Sequence, residues 1–305
     1  MATYPPRSCA PMPFKVIEEK EDHPPPRRLE DYDDFISTLP LGKGWRLPFR
    51  KYQGFWYLEG FLPGAMAIQQ HFKARPDDLF LVSFPKSGTT WLKALTFAIM
   101  TRKQYTLARH PLLSLNPHDC VAHMDELFAT CQASKLETLP SPRILATHMP
   151  YSWLPDSVAI SSGCKIIYIC RDPKDALISY WHFSQQSSSS EVKQNSLMEA
   201  FENFCEGRFP FGPIWDHVLE CWRERLRRPE KVLFVKYEEM LEEPVANVKT
   251  LAEFVGCPFS EEEEKGQMVE EIIRLCSFEN MKSLEVNKSG NHVHMVVPAP
   301  LPPLI

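Results

Sequence analysis

Leu79-Phe80-Leu81-Val82-Ser83-Phe84-Pro85-Lys86-Ser87-Gly88-Thr89-Thr90-Trp91 decides how the rest of this chain is read. The apolar, β-forming run from Leu79 to Phe84 predicts a buried strand. Pro85 stops it, Lys86-Ser87-Gly88 forms a tight turn, and Thr89 and Thr90 begin a helix that the apolar-rich run to Met100 continues. A strand, a short loop and a helix start together make an anion holder. The first helical turn presents unpaired N–H groups, the helix dipole adds partial positive charge, and Lys86 brings a mobile cation. The spelling is not the nucleoside-triphosphate signature G-x-x-x-x-G-K-[ST], because the lysine precedes the glycine and no Gly-Lys-Ser or Gly-Lys-Thr occurs.

Around this stretch, 305 residues with 44% hydrophobic and 24% charged side chains make an ordinary globular composition, enough for one α/β domain or at most two. A net charge of −5 excludes a global basic field for nucleic acid or anionic membrane, so an anion site must be local. Nine dispersed cysteines without a C-x-x-C pair favour reduced thiols and a cytoplasmic chain over a disulfide framework or a zinc site. No run reaches the roughly 18 apolar residues of a membrane span, and the N-terminus lacks the apolar core of a secretory signal. The proline-rich residues 1–30 read as a flexible tail.

Three further strands are expected. Pro142 to Pro150 carries one, with His148 at its carboxyl end; Lys165–Cys170 runs into Arg171-Asp172-Pro173-Lys174-Asp175; Val232–Tyr237 ends at Glu238. Helices are expected at Asp31–Pro40, Ala65–Lys73, Ala176–Phe183, Ser196–Glu206, Ile214–Arg227 and Val245–Val255, with a last amphipathic segment reaching Leu275. The aromatic-dense stretch from Trp45 to Leu62 reads either as a loop layer over the core or as a pocket lining, and serines 187–190 as a break. Strands alternating with helices imply an α/β, three-layer fold with a central, mostly parallel sheet. In such sheets ligands sit beyond the carboxyl ends of the strands, which brings His148 to the same edge as Lys86 if their strands are neighbours. His118, His182 and His217 read as structural, and Asp172 and Asp175 as loop caps.

Taken together, Pro85-Lys86-Ser87-Gly88-Thr89-Thr90-Trp91, Ala146-Thr147-His148, Cys170-Arg171-Asp172-Pro173-Lys174-Asp175 with Ser179, Phe234-Val235-Lys236-Tyr237-Glu238 and Cys276-Ser277-Phe278-Glu279-Asn280 resemble a cytosolic sulfotransferase. The His-Pro-Leu-Leu and Asn-Pro-His-Asp loop is similar to the plant branch acting on flavonols and steroids. The resemblance, over roughly Asp31 to Gly290, implies a P-loop-like fold (domain 31–290). It implies transfer of a sulfuryl group from 3′-phosphoadenosine 5′-phosphosulfate (PAPS) to a hydroxyl of a small acceptor, without a metal. Lys86 through Trp91 (Lys86, Ser87, Gly88, Thr89, Thr90, Trp91) then match the phosphosulfate loop, Arg171 and Ser179 the 3′-phosphate ligands, and Tyr237 an adenine-side contact that Ser277 and Phe278 join. His148 matches the catalytic base, with Lys86 neutralising the bridging oxygen as the S–O bond breaks. Tyr57, Tyr151 and Phe183 are acceptor-pocket candidates.

Two departures stand out. Some family members carry a lysine where this chain has Ala146. After Gly290 the family's Arg-Lys-Gly and Gly-Asp-Trp segment, which folds over the 3′-phosphate, gives way to Asn291-His292-Val293-His294 and a proline-rich end at 291–305. The dimerisation motif is also missing, so a monomer is expected. The alternative reading is a truncated, weakly active or non-catalytic binding protein. A P-loop kinase is disfavoured by the missing Gly-Lys-Ser/Thr and by the lack of a strand-end carboxylate for Mg²⁺.

Overall fold

The computed structural model describes residues 11–15, 32–42, 47–160, 163–186 and 196–288. Its principal sheet is wholly parallel. It contains β4 (Leu79–Ser83), β5 (Ala122–His123), β6 (Ile144–Thr147), β7 (Lys165–Cys170) and β8 (Val232–Lys236), in the order β5-β6-β4-β7-β8. β4 is central. It pairs with β6 on one side (Leu79 beside Ile144) and with β7 on the other (Leu79 beside Lys165).

Every residue of β4 and β6 is buried, which is why both read as near-continuous apolar runs. Alternate side chains enter two cores. Phe80, Val82, Leu145, Ile166 and Tyr168 face one, packed with residues of the helices Leu62–His71, Met124–Ala129 and Ile214–Arg227. Leu81, Ile144, Ile167 and Ile169 face the other, packed with the helices Thr89–Thr101, Pro244–Phe254 and Met268–Leu275. This is the expected three-layer α/β arrangement.

Several boundaries differ from the sequence reading. The segment from Phe49 to Leu58 is not an irregular layer: β1 (Leu41–Gly42), β2 (Phe49–Tyr52) and β3 (Phe55–Leu58) form a small antiparallel sheet. Its inner residues Phe55, Tyr57 and Leu58 belong to the first core. β8 stops at Lys236, and Tyr237 opens the helix Tyr237–Glu242 instead of ending the strand. Two further short helices, Phe278–Ser283 and Glu285–Lys288, follow Leu275. Of the expected tail at 1–30, residues 11–15 are described, and Met12 and Phe14 pack against the core. The serine break at 187–190 and the proline-rich end at 291–305 lie outside the described residues.

Candidate active site

The loop after β4 is built to stay tight. Lys86 adopts φ 65°, a left-handed conformation that costs a non-glycine residue about 1–2 kcal/mol, and Gly88 adopts φ 104°. A Cβ on Gly88 would stand 2.7 Å from Tyr237 Cδ2 and 3.0 Å from Ile169 Cδ1, so only glycine allows β7 and Tyr237 to close on the loop. The Ser83 and Thr89 hydroxyls, 2.6 Å apart, tie the strand end to the helix start. The first-turn N–H groups of Thr89–Thr101 are left for a ligand, as at any helix N-terminus.

Two cations converge beside this loop. Lys86 Nζ lies 4.4 Å from the centroid of Phe183, and burial, reinforced by the positive charge of Arg171, lowers its pKa. The Arg171 guanidinium stacks 4.8 Å from the Tyr237 ring, and its Nη1 lies 3.5 Å from the Lys86 carbonyl. Its only acid among the described residues is the exposed Asp175, 3.6 Å from Nη2. Arg171 Nε and Ser87 Oγ are buried and have no hydrogen-bond partner among the described residues. Buried groups of this kind are rare in folded chains; Thr96 Oγ1 and Trp153 Nε1 are the other two among the described residues.

His148 follows β6 directly. Its Nδ1 lies 2.8 Å from the Ser83 carbonyl, which can only accept, so Nδ1 carries the proton and Nε2 the lone pair. Burial, with a further push from neighbouring His123, lowers its pKa to about 3 and keeps the imidazole neutral at pH 7. The His148 main chain is pinned at both ends: its N–H donates to Asp125 Oδ2 at 3.1 Å, and its carbonyl accepts from His217 Nε2 at 3.0 Å. Asp125 also accepts the Tyr57 hydroxyl and lies 3.3 Å from His123 Nδ1. His123 in turn packs on His148 with ring centroids 4.8 Å apart.

Lys86, Gly88, Thr89, Thr90, Trp91, His148, Arg171, Ser179 and Tyr237 all line one cleft of about 590 Å³, together with Ser277 and Phe278. Ser87, fully buried within the loop, does not line the cleft. The Trp91 and Tyr237 rings meet edge to face at 5.5 Å and form an aromatic corner. Of the acceptor-pocket candidates, Phe183 lines the cleft. Tyr57 is fully buried against Trp153 and Phe211, and Tyr151 is bonded to Arg228. His217 is a buried structural residue, as its sequence context suggests. His118 is not merely structural: it lines the cleft and bonds Thr90 and Lys93. The sequence reading passed over Lys93, a lone cation inside an apolar helical run, whose need for a buried partner is the signal that could have led to His118.

A parallel sheet whose central strand feeds an anion loop, with a neutral imidazole at the neighbouring strand end, defines an α/β group-transfer enzyme for an anionic donor. A family model of the sulfotransferase domain matches residues 76–296. Flavonol 4'-sulfotransferase of Flaveria chlorifolia is 47% identical over 269 residues, covering 87% of this chain and 83% of that protein. Cytosolic sulfotransferase 17 of Arabidopsis thaliana is 45% identical over 264 residues, 86% of this chain and 76% of that one. Among solved structures, an Arabidopsis thaliana sulphotransferase superposes with a TM-score of 0.71 at 41% identity, covering 85% of this chain and 90% of its own. A mouse sulfotransferase complexed with PAP gives 0.58 at 29% identity, covering 77% and 76%. The chain belongs to the sulfotransferase family and is an enzyme of plant type. No helix among the described residues is long and apolar enough to cross a membrane.

Proposed function

We propose that this enzyme moves a sulfuryl group from PAPS to a hydroxyl of a small aromatic acceptor of the flavonol kind, in the cytosol. The observation that carries the reading is the convergence of two cations, a helix N-terminus and a lone-pair-bearing Nε2 on one cleft. The residues fit the donor. Arg171 and Ser179 would hold its 3′-phosphate, the loop from Lys86 to Thr90 its phosphosulfate, and the Trp91–Tyr237 corner its adenine. The unpartnered Arg171 Nε supports an anion there, because a buried donor without an acceptor costs about 1–3 kcal/mol. The donor, when bound, supplies an electrophilic sulfur and a phosphate leaving group.

The chain's own groups do the rest. His148 Nε2 takes the acceptor proton, and Ser83 fixes its tautomer and direction. Lys86 stands at the loop to neutralise charge on the oxygen that departs. Phe183 and Tyr180 add apolar surface on which a flat acceptor can lie. The flavonol class rests on the curated relatives, flavonol 4'- and 3-sulfotransferases, at 47% and 46% identity.

Labelled PAPS offered with a panel of flavonols and steroids tests the reading. Transfer to flavonols is the expected result. Transfer to steroids alone overturns the acceptor class, and a chain that binds PAPS without turnover is a binding protein.

A further inference from the structure

The helix Thr89–Thr101 buries a lysine completely: Lys93 is 0% exposed. Its Nζ lies 3.0 Å from His118 Nδ1 and 3.1 Å from the Val121 carbonyl. On the far side of the same ring, His118 Nε2 lies 3.0 Å from Thr90 Oγ1, and both His118 and Thr90 line the cleft. An ammonium has donors only, so a charged Lys93 compels Nδ1 to accept. The imidazole then carries its proton on Nε2 and donates to Thr90, whose own O–H is left to turn into the cleft. A neutral Lys93 permits the reverse. Nδ1–H donates to the amine lone pair, Nε2 accepts from Thr90, and the threonine presents a lone pair instead.

We propose that Lys93, His118 and Thr90 form a proton-coupled donor chain: seating an anionic nucleotide at the loop favours the charged lysine, and a proton passes from solvent to Lys93 Nζ on binding. Lys93 and His118 are positioning residues in this scheme, acting through Thr90. The inference rests on the nucleotide reading of the cleft. Burial lowers Lys93 to about 7 against the opposing pull of Glu126, Asp125 and Cys120, so both polarities are populated near neutral pH. The charged and titratable groups that face it are His118 and Cys120 on the helix Pro117–Cys120, Asp125 and Glu126 on Met124–Ala129, and His148 beyond β6. An anion at Thr90 rewards the charged polarity twice, through the threonine donor and through the field of a poorly screened ammonium.

Titration calorimetry of adenosine 3′,5′-bisphosphate (PAP) in buffers of different ionisation enthalpy at pH 7.5 counts the protons. Wild type should take up more protons per PAP than Lys93→Met, and the variant should bind PAP roughly tenfold more weakly, the scale of one charge-assisted contact. Met fills similar volume without a buried charge, so the variant's melting temperature should hold or rise, which a merely structural lysine does not predict. His118→Gln supplies an amide oxygen to Lys93 and an N–H to Thr90, and should keep wild-type affinity, whereas His118→Leu should lose it. The His118 pair decides the matter if Lys93→Met fails to fold. Equal affinity and equal proton count in wild type and Lys93→Met, or full affinity in His118→Leu, overturns the proposal alone. A wild type that does not bind PAP overturns the nucleotide reading and this proposal with it.

Discussion

His148 Nδ1 donates to the main-chain carbonyl of Ser83 across 2.8 Å, so the strand that carries the loop also aims the proposed base. The imidazole cannot turn without breaking a bond to β4. His148→Gln can still reach Ser83 with its amide but has no basic nitrogen. It should lower kcat by about 10²–10⁴-fold, the usual share of a general base. PAP affinity should stay near the wild-type value; steady-state rates together with a PAP binding curve check both.

Gly88→Ala should be far more damaging than its size suggests. The new methyl would stand 2.7 Å from the Tyr237 ring at a backbone φ of 104°. Strain and overpacking together should cost about 2–4 kcal/mol. Pushing Tyr237 back also opens the corner it makes with Trp91. Urea unfolding should show the loss, and tryptophan fluorescence a changed response to PAP.

Asp125 is the buried acid behind His148, the proposed base. It receives the Tyr57 hydroxyl and the His148 N–H and lies beside His123, and these partners hold its carboxyl well below the usual carboxylate range despite burial. Asp125→Ala leaves a buried phenol and a main-chain N–H unpaired, and should destabilise the chain by about 3 kcal/mol. Asp125→Asn retains an acceptor and should cost less. Denaturant midpoints for the two variants give the comparison.

Stability should fall as the solution turns acidic. Burial lowers His148 to about 3 and His110 and His217 to about 4, from an ordinary value of 6.5. Between roughly pH 6.5 and 4 the unfolded chain therefore binds protons that the folded chain refuses, and each histidine removes up to about 2 kcal/mol by pH 5. Lys93, lowered to about 7 from 10.5, acts with the same sign at higher pH, where stability rises with alkalinity. Melting temperatures at pH 5.0 and 7.5 should differ by several degrees, with the acidic sample lower.

Four strands of the parallel sheet were legible, the central ones because they are buried on both faces; the fifth, the two-residue edge strand β5, was not, being too short to show a pattern. Lys165–Cys170 appears in the sequence as it does in the structure, and β4 differs only at Phe84. The antiparallel sheet was not, since each strand of its hairpin spans four residues and its aromatic content mimics a loop layer. A usable signal was present in Gln53-Gly54, whose φ values of 43° and 91° suit a two-residue hairpin turn. The loop, His148 and Arg171 were readable because each follows a strand end. His118 was not, because what makes it part of the cleft wall is a bond to Lys93, 25 positions away and on another helix.

The strand order β5-β6-β4-β7-β8 has one more consequence. His148 and Arg171 follow strands on opposite flanks of the one that bears Lys86, two inter-strand spacings apart, or about 10 Å. The sheet thus serves as a ruler: its central mark carries the loop with Lys86, one flank the guanidinium of Arg171 and the other the neutral imidazole of His148, so backbone spacing sets the cationic side of the cleft apart from its proton-accepting side before any side chain discriminates.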